Sequence, residues 1–283
     1  VTRGRTLRGA AITGLSLVLV AGGIYTVTTL LQRSEQLITE ECTAAAGSQQ
    51  AALATDQAAN AALITAVSVR RGLPPRAASI ALATAMQESK LRNIDHGDLA
   101  GPDSRGLFQQ RPSQGWGTQD QVMDPVYATN AFYDALVKVP GYATLEITDA
   151  AQRVQRSAYP AAYAEHEAMA RSFASALTGE SPAALNCTLR SPDTAGDPAA
   201  LLDELEASYG SIPTTATGQT LQVDVTDTFA WSVAHWAVAN AKELSVERVD
   251  VDGKRWDRNA RNGWQDAPDA GGRVAITLAA DGS

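Results

Sequence analysis

Three histidines and two cysteines in 283 residues leave little from which to build a metal centre. His96, His166 and His235 are scattered, with no H-x-x-H or H-E-x-x-H spacing, so zinc hydrolysis has no ligand set. A serine elbow and a phosphate loop are both missing, which removes the usual serine-hydrolase and nucleotide chemistries. Asn93, Asp95, Gly97 and Asp98 share part of an oxygen-rich calcium loop, but the Asp-x-Asp-x-Asp-Gly order and its closing Glu are absent. No metal or cofactor is called for. Positive clusters are lacking beyond the N-terminus, and a net charge of −8 argues against a nucleic-acid surface. No solenoid repeat and no low-complexity tract beyond alanine richness is present.

The N-terminus holds what the rest lacks. Gly9 to Leu31 carry no charge and follow Arg3, Arg5 and Arg8. That run is long enough to cross a bilayer with its basic end in the cytoplasm. The expectation is a single-pass anchor in the cell membrane with everything after Arg33 extracytoplasmic; secretion after signal-peptide cleavage is the alternative. An even cysteine count in an exported chain favours a Cys42–Cys187 disulfide, with two unrelated thiols as the other reading. Closing so long a loop is worth roughly 3–5 kcal/mol in the loop-entropy picture.

Hydrophobic periodicity predicts a mainly α protein. Residues 1–33 read as basic start and transmembrane anchor, and 34–58 as a polar, alanine-rich, partly helical stalk. A helical domain covers 59–187: PPRAASIALATAMQESK, YATNAFYDALVKV, ITDAAQRVQRS and AAYAEHEAMARSFASALTG show helical spacing, and strand-like alternation is absent from 60 to 180. RSPDTAGDP lies in a linker, 188–218, that also includes the short helical stretch LLDELEASYG. The last segment, 219–283, reads as a small α/β accessory domain, with TLQVDVTD and RVAITL as strands, Asp227 as a helix N-cap and a hairpin turn at Asp252-Gly253.

Within AMQESKLRNIDHGDLAGPDSRGLFQQRPSQGWG, one glutamate closes an apolar stripe. On a helix from Pro75, positions 77, 80, 81, 84, 85 and 88 share a face. A carboxyl held against apolar neighbours keeps its proton toward neutral pH and can act as a general acid. Solvation of Glu88 at the helix end, or a salt bridge to Arg92, is the competing reading. Trp116, between glycines in SQGWG, offers either a sugar-stacking face or a packed core residue.

Glu88-Ser89, then GLFQ at 106–109, then a segment with Tyr159 and Tyr163, resembles the lytic transglycosylase and goose-type lysozyme superfamily over residues 60 to 180. GLFQQRPSQGWG with MDPVYAT behind it is similar to an exported actinobacterial branch of lysozyme-like proteins. The resemblance implies a lysozyme-like fold for 59–187, Glu88 as the catalytic acid with Ser89 beside it, and a cleft floor carrying Gln109. It also implies a tyrosine that contacts sugar and acid. SAYP (157–160) stands where that superfamily has Ala-Tyr-Asn-x-Gly, which assigns the last role to Tyr159. The implied substrate is the peptidoglycan glycan strand, cut between N-acetylmuramic acid and N-acetylglucosamine by one carboxylate. A hydrolytic variant would recruit Asp95, Asp98 or Asp103. The alternative from another class is a non-catalytic peptidoglycan-binding or cell-envelope assembly protein, with an envelope protein as partner. The C-terminal segment resembles a small secreted domain related to D-Ala-D-Ala peptidases, but lacks a second histidine; Trp256 and Trp264 are expected to lie exposed there as a contact surface.

Overall fold

The computed structural model describes residues 38–99, 101–155, 160–268 and 271–280. The chain divides into two compact units, Val1–Thr39 and Glu40–Ser283, and the second carries the architecture that follows.

Its first elements are strands. β1 (Glu41–Ala46) turns through Gly47, at φ 60°, into β2 (Gln49–Leu53), and β3 (Leu185–Thr188) pairs with the other edge of β1. All pairings are antiparallel, and Cys42 lies opposite Cys187 and is bonded to it. The stretch expected as a partly helical stalk, 34–58, is therefore sheet from Glu41 to Leu53 and enters a helix only at Thr55. Alanine favours helix locally, but a positive-φ turn and a cross-strand partner 145 residues away override that preference.

A helical layer follows: α1 (Thr55–Arg70), α2 (Pro75–Ser89), α3 (Gln119–Met123), α4 (Pro125–Leu136), α5 (Ile147–Gln155) and α6 (Glu167–Leu177). Proline in its first turn starts α2 without sacrificing an intrahelical bond. Every residue from Ala77 to Ala85 is buried, because α1, α4, α5 and α6 surround this helix. Its many alanines let those neighbours approach closely and fill the interior at native density.

The C-terminal part adds α7 (Pro198–Tyr209), β4 (Thr214–Thr217), β5 (Thr220–Val223), α8 (Asp227–Ala239), β6 (Val246–Val251), β7 (Lys254–Asp257), β8 (Gln265–Asp266) and β9 (Val274–Leu278). The six strands form one antiparallel sheet in the order β4-β5-β9-β6-β7-β8. Asp252 and Gly253, both at positive φ, make the β6–β7 turn. Thr226, and not Asp227, is the N-cap of α8.

α8 is buried all round from Ala230 to Ala239, as a helix must be when both its faces are covered. One side packs on β6 and β9, the other on α1, α6 and β3. Across this seam the Ser232 hydroxyl donates to Leu177 O (2.6 Å), and the indoles of Trp264 and Trp256 donate to Leu185 O (2.8 Å) and Asn186 Oδ1 (2.9 Å). Gly179 is required here, since a Cβ would stand 1.8 Å from Thr228 O. Trp256 is 1% exposed and Trp264 is half-buried against the core, so neither forms the exposed surface expected of them. Both rings are consumed in joining the C-terminal sheet to β3. Within 188–218, α7 packs on α1.

The expectation of a mainly α protein on a membrane anchor is thus corrected. Two antiparallel sheets make the chain α+β. Among the described residues no helix is long and apolar enough to cross a membrane; the longest, α1, has 16 residues and spends its apolar surface on the core. The expected anchor, Gly9 to Leu31, lies outside the described residues, and single-pass membrane localisation has no support. The disulfide is compatible with an extracytoplasmic or secreted protein.

Candidate active site

The end of α2 is where the chain departs most from easy geometry. Lys90 and Leu91 both take φ 56°, the left-handed region that non-glycine residues occupy at a cost. The turn is closed by Lys90 N–H to Met86 O and Leu91 N–H to Ala85 O, each 3.0 Å, with Leu91 fully buried as the hydrophobic partner of such a cap. Amides from α1 hold it: Gln57 Nε2 donates to Lys90 O (2.9 Å) and Asn60 Nδ2 to Leu91 O (2.8 Å).

Ser89 is buried and turned inward. Its hydroxyl donates to Leu107 O (2.7 Å), tying the helix end to the GLFQ segment rather than facing a substrate. That segment is the loop of a minute hairpin closed by reciprocal 3.0 Å backbone bonds between Arg105 and Gln110. Gly106, at φ 78°, has no room for a Cβ, which would stand 2.2 Å from Val122 O. Leu107 and Phe108 are fully buried, and Phe108 stacks on Phe132 with ring centroids 4.6 Å apart. These anchors leave Gln109, at φ 48°, on the cleft.

The cleft has a volume of about 1330 Å³ and gathers Glu88, Gln109 and Trp116, three of the residues singled out from sequence, together with Gln87, Asp98, Arg111, Lys138, Arg153 and Gln155. Glu88 is half-buried. The Tyr163 hydroxyl donates to Glu88 Oε1 at 2.8 Å, and the Gln155 side chain also bonds the carboxyl while donating to Phe108 O at 2.7 Å. Burial pushes the Glu88 carboxyl above the usual carboxylate range; the Tyr163 and Gln155 bonds pull it back in part, and the charge of Asp98 adds to the rise. Position in the last turn of α2, at the negative end of the helix dipole, acts in the same upward direction. Arg92, the rival partner weighed for Glu88, pairs instead with Asp56 at 2.6 Å.

The tyrosine bonded to Glu88 is Tyr163, on the 3-10 helix Pro160–His166; Tyr159 lies outside the described residues. Gln155 was not singled out from sequence, and nothing in its immediate surroundings marks it: it closes α5 with the Phe108 carbonyl as its partner. Trp116 is half-buried on the cleft wall, with the hydroxyl of Tyr127 donating to its carbonyl (3.3 Å). Behind Gln87, the His166 ring bonds the amide oxygen at 3.0 Å.

The three loop acids separate cleanly. Asp95 is exposed and pairs with His96 at 3.0 Å. Asp103 accepts from Arg111 Nε (2.9 Å) and Ser113 N–H (3.0 Å), and bonds to Ser113 and Arg111 hold it far below the usual carboxylate range. Only Asp98 lines the cleft. Among the described residues no three His, Cys, Asp or Glu side chains come together as a metal site. His235 is fully buried, with its Nδ1 2.7 Å from Ala176 O and its ring against Trp231 and Trp264, far from a ligand's role. No protein-family model and no curated protein matches the chain.

Proposed function

We propose that the chain is a peptidoglycan-cleaving glycosidase of the lytic-transglycosylase type, acting between N-acetylmuramic acid and N-acetylglucosamine with Glu88 as its one catalytic acid. The observation that carries this reading is the Glu88 carboxyl, raised above the usual carboxylate range by burial, on a cleft of about 1330 Å³ and hydrogen-bonded by the Tyr163 hydroxyl at 2.8 Å. The resemblance of residues 60 to 180 to the lytic transglycosylase and goose-type lysozyme superfamily supports it independently.

The chemistry follows from the geometry. With Oε1 accepting from Tyr163, Oε2 carries the acid proton and delivers it to the glycosidic oxygen as the C1–O bond breaks. The adjacent N-acetyl oxygen meets the electron-poor C1. Glu88, now a carboxylate, then accepts the proton of the sugar 6-hydroxyl as that oxygen bonds to C1, breaks the bond between C1 and the N-acetyl oxygen, and closes a 1,6-anhydro ring. Gln109 presents an amide to acetamide groups, and Trp116 offers a flat face to a sugar ring. The hydrolytic form would use Asp98 to activate water, as the one loop acid facing the cleft.

The product ends test this reading. Digestion of purified peptidoglycan should release muropeptides ending in 1,6-anhydromuramic acid, whereas ends that take up borohydride would assign water as nucleophile. The second reading, a glycan-binding envelope protein that does not cut, is favoured by SAYP standing in place of Ala-Tyr-Asn-x-Gly. It predicts co-sedimentation with insoluble glycan and no soluble product.

A further inference from the structure

The chain is strongly acidic overall, at −8, yet two cations facing the cleft have been left without acid partners among the described residues. Lys138 stands two residues beyond the end of α4 and Arg153 belongs to α5, two helices packed on one another. The acids that could neutralise them do not. Asp134, one turn before Lys138, is committed to Arg71 at 2.6 Å. Asp149, at the i−4 position where a helical ion pair with Arg153 would form, makes no such pair. The third cation of the cleft, Arg111, is by contrast tied to Asp103 at 2.9 Å. The Lys138 and Arg153 side chains are both exposed on the cleft, so they can reach a bound anion, and their pull on it will be sensitive to salt.

We infer that Lys138 and Arg153 form a carboxylate-binding subsite, which engages the anionic substituents of the glycan strand and orients it across the cleft. The inference rests on the glycan reading proposed above. N-acetylglucosamine is neutral, so the recognised group belongs to the muramic residues. Two sources carry it: the lactyl carboxylate of a strand stripped of peptide, or the carboxylates of an attached stem, where the lactyl group is itself an uncharged amide.

The test uses the full chain carrying Glu88→Gln, so that ligand is held and not cut, with three soluble probes of equal sugar length. These are a neutral N-acetylglucosamine oligomer, a peptide-free glucosaminyl-muramic oligomer with free lactyl carboxylates, and the same oligomer bearing peptide stems. Titration calorimetry at low salt should give about tenfold tighter binding to one or both anionic probes than to the neutral one, as expected for two complementary charges at a partly screened surface. That ratio should collapse toward one in the double substitution Lys138→Gln/Arg153→Gln, and also at about 0.5 M salt. Preference for the peptide-free probe assigns the lactyl carboxylate, and preference for the stem-bearing probe assigns the peptide. Equal binding of all three, or a preference that survives the double substitution, overturns the subsite and leaves the glycan reading standing. Failure to bind any of the three overturns the glycan reading itself and the subsite with it.

Discussion

The cleft and the seam between α6 and α8 each contain one titratable side chain that burial drives toward its uncharged form, and they use it in opposite ways. Glu88 sits at the end of a helix on an open cleft, with the Tyr163 hydroxyl on Oε1 and the Gln155 side chain also bonded to its carboxyl. His235 is sealed: its Nδ1 meets Ala176 O, its Nε2 has no partner among the described residues, and tryptophan rings cover it. The same desolvation that makes a usable acid at a cleft makes only a liability in a closed core. What separates them is access, and access here is set by the GLFQ hairpin and the left-handed turn at Lys90 and Leu91.

The largest effect on the sealed side should come from the disulfide. Replacing both Cys42 and Cys187 by serine releases a cross-link that spans 145 residues of chain and should cost roughly 3–5 kcal/mol of stability. Equilibrium urea unfolding checks this, and a loss under about 1 kcal/mol would mean that β1 and β3 hold without it.

His235 should give the next largest effect. Burial holds its ring down at about 4, against 6.5 for an ordinary histidine. The unfolded chain therefore takes up a proton that the fold refuses, so the stability is fully present above pH 6.5 and is lost as pH falls toward 4. The integrated loss is about 3 kcal/mol. Unfolding curves measured from pH 7 to 4 should show this slope, and His235→Gln, which cannot titrate, should flatten it. A slope that persists in that variant would assign the acid sensitivity elsewhere.

On the open side, Tyr163→Phe removes a hydrogen bond that favours the Glu88 carboxylate, so the carboxyl should rise further. The alkaline limb of the pH–rate profile should move to higher pH, while loss of the fixed Oε1 lowers the rate about tenfold. A lower rate with an unmoved limb would make Tyr163 a packing residue only.

Much of the cleft was legible because its signals are local. The stripe from Ala77 to Ala85 ends at Glu88 whatever surrounds it, and GLFQ needs its glycine, its two anchors and its glutamine in that order. The tyrosine was harder: the sequence offers both Tyr159 and Tyr163, and the hydroxyl that meets the acid among the described residues is that of Tyr163, on the 3-10 helix Pro160–His166. Gln155 gave no signal, because its partners, Phe108 O and Glu88, are distant in sequence. The sheets suffered for the same reason. ECTAAAGSQQAAL looks helical until β3 arrives from the far side of the helical layer, and Trp256 and Trp264 look exposed until Asn186 and Leu185 receive their indoles. What α8 buries on both faces is likewise set by tertiary contacts that no local period encodes.

The central claim, that Glu88 supplies the proton for glycan cleavage, is tested most directly by digesting one peptidoglycan preparation with the full chain and with Glu88→Gln, and weighing the soluble products. An amide keeps the shape and the Tyr163 contact but cannot donate the proton, so the account predicts anhydro-muropeptides from the first and at least about a thousandfold less from the second, with unchanged thermal unfolding. Equal release of muropeptides by both proteins would contradict it.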